Sequence, residues 1–263
     1  MDLQKNSRLQ TRVLCANVTS VAHAPGTNPP RRPRISAAFL EENRRRRYVD
    51  AAAELLHEFG REGPSVANIV RLAGTARNSF YEVFGSGEEC IAYGIGLAAG
   101  ELFAALDGQD GDGEWLLGVS EAITGFYDAV VAEPLLAELL LIHSATSRLV
   151  ESRAATRRGT ERFAALLRRG RAKAETRARG PLPETTEEYF SGTIVALAAR
   201  RVREADLAQL PREGAELSAL IGGFYLGPEA TDEILCSYPR HEDRSRLQDD
   251  GSGRSYPYGA SQG

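Results

Sequence analysis

The stretch from Thr75 to Tyr81 carries side chains that can read the edges of DNA bases. The guanidinium group of Arg77 can form two hydrogen bonds with a guanine, and the amide of Asn78 can pair with an adenine edge. The hydroxyls of Ser79 and Tyr81 can bind phosphate oxygens, while the methyl group of Thr75 can contact thymine. These residue types, so close together, indicate a surface suited to the major groove.

Basic residues are concentrated upstream of this stretch. Residues 1–49 carry ten arginines and lysines against three acidic residues, so their net charge is +7. The whole chain has a formal charge of −4, which leaves −11 for the remainder. Two arginine-rich runs, Arg31–Arg34 and Arg44–Arg47, could reach phosphates or a neighbouring minor groove. From the second run we assign Arg44 and Arg47 to the DNA-binding surface.

Short apolar repeats predict the helices that position these residues. Apolar side chains from Val49 to Phe59 follow helical spacing, and a glycine ends that helix. A second helix begins after the N-cap Ser65 and ends at Gly74, and a third closes at Gly85. Two short helices across a tight glycine turn form a helix-turn-helix.

The rest of the chain also follows a helical pattern, and no segment predicts a strand. Ser86 and Glu89 form a capping box that opens a longer helix, which stops at Gly108. The sequence therefore predicts an all-α fold. Further helices are expected over Trp115–Ala132, Pro134–Ser144, Ser147–Arg177, Glu184–Asp206 and Arg212–Leu226.

Several classes of protein are disfavoured by what the sequence lacks. Cys15, Cys90 and Cys236 are far apart and odd in number, which argues against a disulfide scaffold or a zinc site. No stretch has the roughly 18 consecutive apolar residues of a spanning helix. Common catalytic motifs are missing and the four histidines are scattered, so we expect no enzyme, metal or cofactor. We expect a cytoplasmic protein.

Residues 48–93 resemble the N-terminal domain of the tetracycline-repressor (TetR) family of bacterial transcriptional regulators. The resemblance combines apolar spacing, glycines at helix ends and an aromatic pair over some forty-five positions. The residues that carry it are Ala51-Ala52, Leu55-Leu56, Phe59-Gly60, Ser65-Val66, Ile69, Ala73-Gly74, Arg77, Ser79-Phe80-Tyr81, Phe84-Gly85-Ser86 and Glu88-Glu89.

The resemblance implies an all-helical homodimer with DNA-binding and ligand-binding parts. On this basis we expect a disordered basic arm over 1–34, a three-helix helix-turn-helix domain over 35–92, a larger helical ligand-binding and dimerisation domain over 93–236, and a disordered tail over 237–263.

The family also implies roles for single residues in this chain. Tyr81 corresponds to a phosphate-contacting tyrosine, and Arg77 and Ser79 correspond to groove-facing positions. The cap residues Ser65 and Ser86 are also expected to lie at the DNA.

The sequence departs from the family pattern in three places. Ala76 stands where a serine is frequent, and Glu82 with Val83 stands where basic or aromatic residues are common. Gly87 replaces a lysine that often contacts phosphate. We expect the upstream arginines to compensate for that lost contact, because backbone affinity depends on how many phosphates are neutralised.

The ligand pocket and the dimer interface are less well defined by the sequence. An apolar cavity with a few polar anchors is expected from Phe103, Trp115, Phe126, Tyr127, His143 and Tyr189. Each of these residues could instead belong to the packed core. The resemblance of the last helix to a dimerisation helix assigns Leu217, Leu220 and Phe224 to the dimer interface, and Leu197 on the preceding predicted helix is assigned to it as well.

These observations predict a ligand-responsive repressor. It would bind a palindromic operator as a homodimer and be released by a small molecule. Two alternatives stay open on the sequence alone. The same fold could serve an activator or a nucleoid-associated binder without a ligand, and an enzyme is the less favoured possibility.

Overall fold

The described part of the chain is built from helices joined by short turns. A computed structural model describes residues 36–107, 115–176 and 182–227. The predicted arm and tail, the run Arg31–Arg34, Cys15 and Cys236 lie outside them. The helices are α1 (Ala37–Phe59), α2 (Val66–Leu72), α3 (Arg77–Tyr81), α4 (Gly87–Leu102), α5 (Trp115–Ala132), α6 (Pro134–Glu138), α7 (Val150–Arg168), α8 (Arg171–Thr176), α9 (Thr186–Glu204) and α10 (Leu210–Leu226).

This architecture confirms the all-α fold, with a small N-terminal helix-turn-helix domain and a larger helical body. A boundary between the two was predicted after residue 92. That position falls inside the continuous helix α4, so the division stays a prediction. No helix in these three ranges combines the length and apolar character that a membrane crossing needs.

Helix α1 begins earlier than its apolar repeat indicates. The repeat starts near Val49, whereas the helix starts at Ala37. The additional turns begin with Ala37, Ala38, Phe39 and Leu40 and continue with charged residues. Charged pairs one turn apart stabilise the charged part, such as Glu41–Arg45 at 2.6 Å and Arg46–Asp50 at 3.0 Å. The run Arg44–Arg47 therefore lies within the helix and not at its start.

Helices α2 and α3 pack on the buried face of α1. Phe80 of α3 is fully buried, and its ring meets that of Tyr48 edge to face at a centroid distance of 5.1 Å. Ile69 of α2 is also fully buried in this core. The third helix is shorter than predicted, because regular α-helix stops at Tyr81. Phe84, beyond its end, still packs against Tyr48.

The larger body is centred on stacked aromatic rings. Phe103 lies parallel to Phe126 with ring centroids 5.0 Å apart, and both meet Phe163 edge to face. Trp115 packs against Tyr225, and its indole N–H donates to the carbonyl of Leu166 at 3.0 Å. These contacts hold α4, α5, α7 and α10 around one continuous core.

The predicted helix over Ser147–Arg177 is broken into two. Helix α7 ends at Arg168, and α8 starts at Arg171 after Gly170. A Cβ atom at Gly170 would lie 2.3 Å from the indole of Trp115. The tryptophan thus occupies the space beside this turn, a contact that local periodicity does not reveal. Helix α6 likewise continues as a wider π-helical turn from Leu139 to His143.

A buried carboxylate joins the last three helices. Glu187 of α9 is only 2% exposed, and its oxygens accept from Arg171 at 2.8 Å and from the Tyr225 hydroxyl at 3.1 Å. Burial alone would raise the pKa of Glu187. The hydrogen bonds from Arg171 and Tyr225 outweigh that effect, so the pKa lies below its ordinary value.

Replacing Glu187 by glutamine is expected to lower the free energy of unfolding at pH 7 by about 1–2 kcal/mol, because a charge-assisted bond becomes neutral. A lowered folded-state pKa stabilises the protein above the ordinary glutamate pKa, and this stabilisation disappears as pH falls through the lowered value. The variant should therefore lose less stability than the wild type between pH 5 and pH 3.

Chemical denaturation at several pH values measures this difference. The neighbouring Glu188→Gln is the matched control, since Glu188 is exposed and outside the buried cluster. Equal pH profiles for the wild type and Glu187→Gln would contradict the assignment.

Candidate nucleic-acid interface

The turn between α2 and α3 has the geometry of a glycine-capped helix end. Gly74 adopts a left-handed backbone with φ +64°. Its amide donates to the carbonyl of Arg71 at 3.3 Å, and the amide of Thr75 donates to that of Val70 at 3.0 Å. This pair of bonds is the Schellman motif, which ends a helix and redirects the chain. The predicted helix stop at Gly74 is confirmed.

Helix α3 presents Arg77, Asn78 and Tyr81 to solvent. Its one buried side chain, Phe80, fixes the rotation of the helix, so these three residues lie on its exposed side. The guanidinium of Arg77 donates to the Tyr81 hydroxyl at 3.3 Å and lies 5.7 Å from the ring centroid. Arginine and tyrosine are thus placed one turn apart on one surface before any ligand is bound. Ser79 is half-buried beside them.

Thr75 is less available than the sequence indicates. Its side-chain oxygen is buried and has no hydrogen-bond partner among the described residues. A contact between Thr75 and DNA would therefore involve the remainder of the side chain and not the hydroxyl.

Ser65 and Ser86 are confirmed as helix caps. The Ser65 oxygen accepts from the amide of Asn68 at 3.2 Å, and the Ser86 oxygen accepts from that of Glu89 at 3.1 Å. The Glu89 carboxylate in turn accepts from the amide of Gly85 at 2.8 Å. A hydroxyl that accepts from the backbone still has a hydrogen to donate, so both serines keep the capacity to bind a phosphate.

The arginines of α1 have partners within the protein. Arg47 donates to the carbonyl of Ala73, at the end of α2. Arg46 contacts Asp50 and Glu101, and Arg45 contacts Glu41 and the ring of Tyr93. The pairs with Glu41 and Asp50 lie within α1, whereas the contacts with Ala73, Glu101 and Tyr93 join α1 to its neighbours. The assignment of Arg47 to DNA stays a prediction.

Arg44 has a different partner, on the recognition surface itself. Its guanidinium lies 2.9 Å from the carboxylate of Glu82, the residue that follows α3. Both side chains are substantially exposed. The pair neutralises the acidic group that departs from the family pattern, and it also occupies an arginine that could otherwise bind phosphate.

Replacing Glu82 by glutamine is expected to tighten DNA binding by about 3- to 10-fold at low salt. The change removes a negative charge beside the DNA and frees Arg44 for one more phosphate. The gain should shrink as ionic strength rises. Fluorescence anisotropy at several salt concentrations measures both effects.

A matched control is Glu161→Gln, which frees Arg157 on α7 in the same way. An equal gain in both variants would show that the effect is only one of net charge.

Gly87 lies against the segment that precedes α2. A Cβ atom at this position would lie 3.2 Å from the carbonyl oxygen of Pro64 and 3.7 Å from Val66. The absence of a side chain thus permits a close approach between the start of α4 and the helix-turn-helix. This gives a packing reason for a glycine at the position where the family pattern has lysine.

The residues predicted to line a ligand pocket do not share one site. Phe103, Trp115, Phe126 and Tyr127 are buried and packed against other aromatic rings or aliphatic side chains. Tyr189 is 73% exposed, on the outside of α9, and lines no cavity described here, so its role in ligand binding stays a prediction. His143 lines an open cavity.

The residues predicted for a dimer interface fall into an exposed group and a more buried group. Leu220 and Phe224 are exposed on α10, and the Phe224 ring meets Phe190 of α9 at 5.4 Å. Leu197 is half-buried against the core. Leu217 is only 5% exposed and packs within its own chain, so little of its side chain is available to a partner. Tyr189 extends the exposed face that Leu220 and Phe224 form.

Sequence reasoning missed a cavity of about 250 Å³ at the junction between the helix-turn-helix and the body. Its charged residues, Arg61, Glu88 and Arg148, come from three segments that are distant in sequence. No local spacing could have revealed it. Cys90, on the same helix as Glu88, is buried, and burial raises its pKa to about 12, which makes the thiol unreactive.

Together, the short capped helices, the glycine turn and the exposed side of α3 define a helix-turn-helix DNA-binding protein with a helical C-terminal body. Residues 49–93 match the family model of bacterial regulatory proteins of the tetR family. The resemblance seen in the sequence is confirmed for these residues, which form the N-terminal DNA-binding domain typical of that family. A search of curated proteins gave no match.

Solved structures share the fold at low sequence identity. A TetR-like regulator from Rhodococcus sp. RHA1 is 21% identical, with a TM-score of 0.56 over 74% of this chain and 100% of the other. PfmR from Thermus thermophilus is 20% identical, with a TM-score of 0.55 over 74% and 96%. FadR from Bacillus subtilis, in complex with stearoyl-CoA, is 16% identical, with a TM-score of 0.56 over 69% and 98%.

Proposed function

We propose that this protein is a ligand-responsive repressor that binds a palindromic operator as a homodimer. The observation that carries the proposal is the exposed side of α3, where Arg77, Asn78 and Tyr81 are held by the buried Phe80. Arginine and asparagine supply bidentate contacts to purines, and the tyrosine hydroxyl supplies a contact to the DNA backbone. We assign the protein to the cytoplasm, where a bacterial operator lies.

The outer face of α9 and α10 supports the homodimer. Leu220 is 63% exposed, Tyr189 is 73% exposed and Phe224 is 42% exposed. Large apolar side chains on adjacent helices form the kind of surface that protein interfaces cover. We assign this surface to a second copy of the chain. A two-fold dimer would set its recognition helices about 34–36 Å apart, one turn of DNA, and would require a palindrome.

Release by a small molecule requires two conformations that the ligand distinguishes. A ligand with equal affinity for both would leave DNA occupancy unchanged. Helix α4 is the element that can transmit the difference, because it begins against the helix-turn-helix and continues into the body. FadR, which was solved with stearoyl-CoA, supports the idea that a regulator of this fold takes a small-molecule effector.

Genome-wide footprinting with the purified full chain tests the proposal. A specific regulator should protect a few discrete palindromes, because specific binding is typically about 10³ or more times tighter than non-specific binding. Diffuse protection would instead favour a nucleoid-associated binder of the same fold. Comparing transcription of the bound genes with and without the protein would then separate a repressor from an activator.

A further inference from the structure

The junction cavity has a composition that differs from the aromatic core. It is lined by Arg61, just after α1, by Ile91 on α4, and by Arg148, just before α7. Leu56 and Pro64 add apolar surface, and His143 and Ser147 add polar groups. With a volume of about 250 Å³, it is slightly smaller than the roughly 300–1,000 Å³ typical of ligand pockets.

The charges around the cavity favour an anion. Two guanidinium groups line it, against the single carboxylate of Glu88. Within the three described ranges, Arg148 makes no ion pair, whereas Arg157 and Arg158 on the following helix are paired with Glu161 and Glu151. Guanidinium groups are well suited to bind a carboxylate with two parallel hydrogen bonds.

We propose that this cavity binds a small organic acid. Its carboxylate would lie between Arg61 and Arg148, and its apolar part would lie on Leu56 and Ile91. The aromatic centre of the body is a poorer candidate, because Phe103 is stacked on Phe126 at 5.0 Å and fills the space beside Gly159.

The cavity is also connected to α1 through a chain of side chains. His143 lies 3.4 Å from one oxygen of Glu138, and the other oxygen of Glu138 lies 2.7 Å from Nδ1 of His57 near the end of α1. A carboxylate bound beside His143 would compete with Glu138 for the imidazole. The bond between Glu138 and His57, which joins the body to the DNA-binding helices, would then be altered.

Ligand binding at this site would give a physical route for the proposed regulation. Its expected effect on DNA binding rests on the proposed function. A ligand that contacts both Arg61 and Arg148 would favour one spacing between the helix-turn-helix and the body. Binding to the cavity itself requires no DNA, so the two ideas can be tested separately.

Calorimetric titration of the full chain with hexanoate and benzoate tests the site, with hexanamide and benzamide as uncharged counterparts. At least one acid should bind saturably with a Kd below about 1 mM, and neither amide should do so. Arg148→Gln should weaken that binding by about 10-fold or more, since a charge-assisted pair is lost. Arg157→Gln, an exposed arginine on α7, should leave it within about twofold.

Three results would overturn the site: no saturable binding of either acid, equal binding of the amides, or the same affinity in Arg148→Gln as in the wild type. Arg61→Gln provides a second variant, and thermal unfolding of each variant shows that it is folded. If the acid binds but operator affinity does not change, the coupling to α1 is wrong and the site stands. If no operator is found, the proposed function fails independently.

Discussion

Replacing Arg77 by alanine is expected to weaken operator binding by about 10- to 100-fold. A bidentate arginine–guanine pair contributes roughly 1–3 kcal/mol of discrimination. No neighbouring residue on the exposed side of α3 can form the same two parallel hydrogen bonds. The side chain is exposed and contacts Tyr81, another surface residue, so the fold should be unaffected.

The effect of each variant on sequence specificity is as informative as its effect on affinity. If Arg77 reads a base, the variant should tolerate substitutions at one operator position and keep its salt dependence. Tyr81→Phe removes a hydroxyl that we assign to a phosphate, so it should weaken binding similarly for all sequences. Fluorescence anisotropy with a set of single-substitution operators separates the two effects.

Arg157→Ala is the matched control, because this arginine is exposed on α7, away from the helix-turn-helix. Its removal should change operator affinity by less than twofold. An equal loss in Arg77→Ala and Arg157→Ala would mean that general charge dominates. A loss in Arg77→Ala that is the same for every operator variant would place Arg77 at a phosphate.

The helix-turn-helix could be predicted because its signals are local. Ser65, Gly74 and Ser86 each control a helix end through bonds to residues no more than a few positions away. The orientation of α3 could also be predicted, since one buried phenylalanine leaves the residues beside it exposed. Sequence spacing is sufficient where the stabilising partners are neighbours in the chain.

The contacts of the α1 arginines could not be predicted, for the opposite reason. Arg44 contacts Glu82, Arg47 contacts the carbonyl of Ala73, and Arg46 contacts Glu101, all more than 25 positions away. A run of arginines has the same sequence pattern whether its side chains bind DNA or contact other parts of the same protein. The start of α1 was missed for a related reason, because its first turns depend on ion pairs and not on an apolar repeat.

The residues predicted for the ligand pocket and for the dimer interface could not be placed by sequence spacing either. An aromatic residue in a helical repeat can face the core, a cavity or a partner, and only packing distinguishes these positions. Leu217 and Leu220 lie three positions apart on α10, yet one is buried in its own chain and the other is exposed. Tyr189 and Phe126 are both aromatic residues in helices, but the first is exposed and the second is fully buried.

Replacing Gly159 by alanine is expected to lower the free energy of unfolding by about 3 kcal/mol, at the upper end of the usual cost of overpacking. A Cβ atom at this position on α7 would lie 2.1 Å from two ring atoms of Phe103. Phe103 is only 2% exposed and is stacked on Phe126. The ring therefore has no space to move into, and either the helix or the aromatic stack must shift.

Gly96→Ala is the control that makes this prediction specific. Gly96 also lies within a helix, but it is exposed and no atom lies within 4 Å of a Cβ built there. Alanine should stabilise that position by up to about 1 kcal/mol through its higher helix propensity. The two variants should thus change stability in opposite directions, as measured by chemical denaturation. Stabilisation by both would contradict the prediction, because it would show that the aromatic stack beside Gly159 can adapt to one more methyl group.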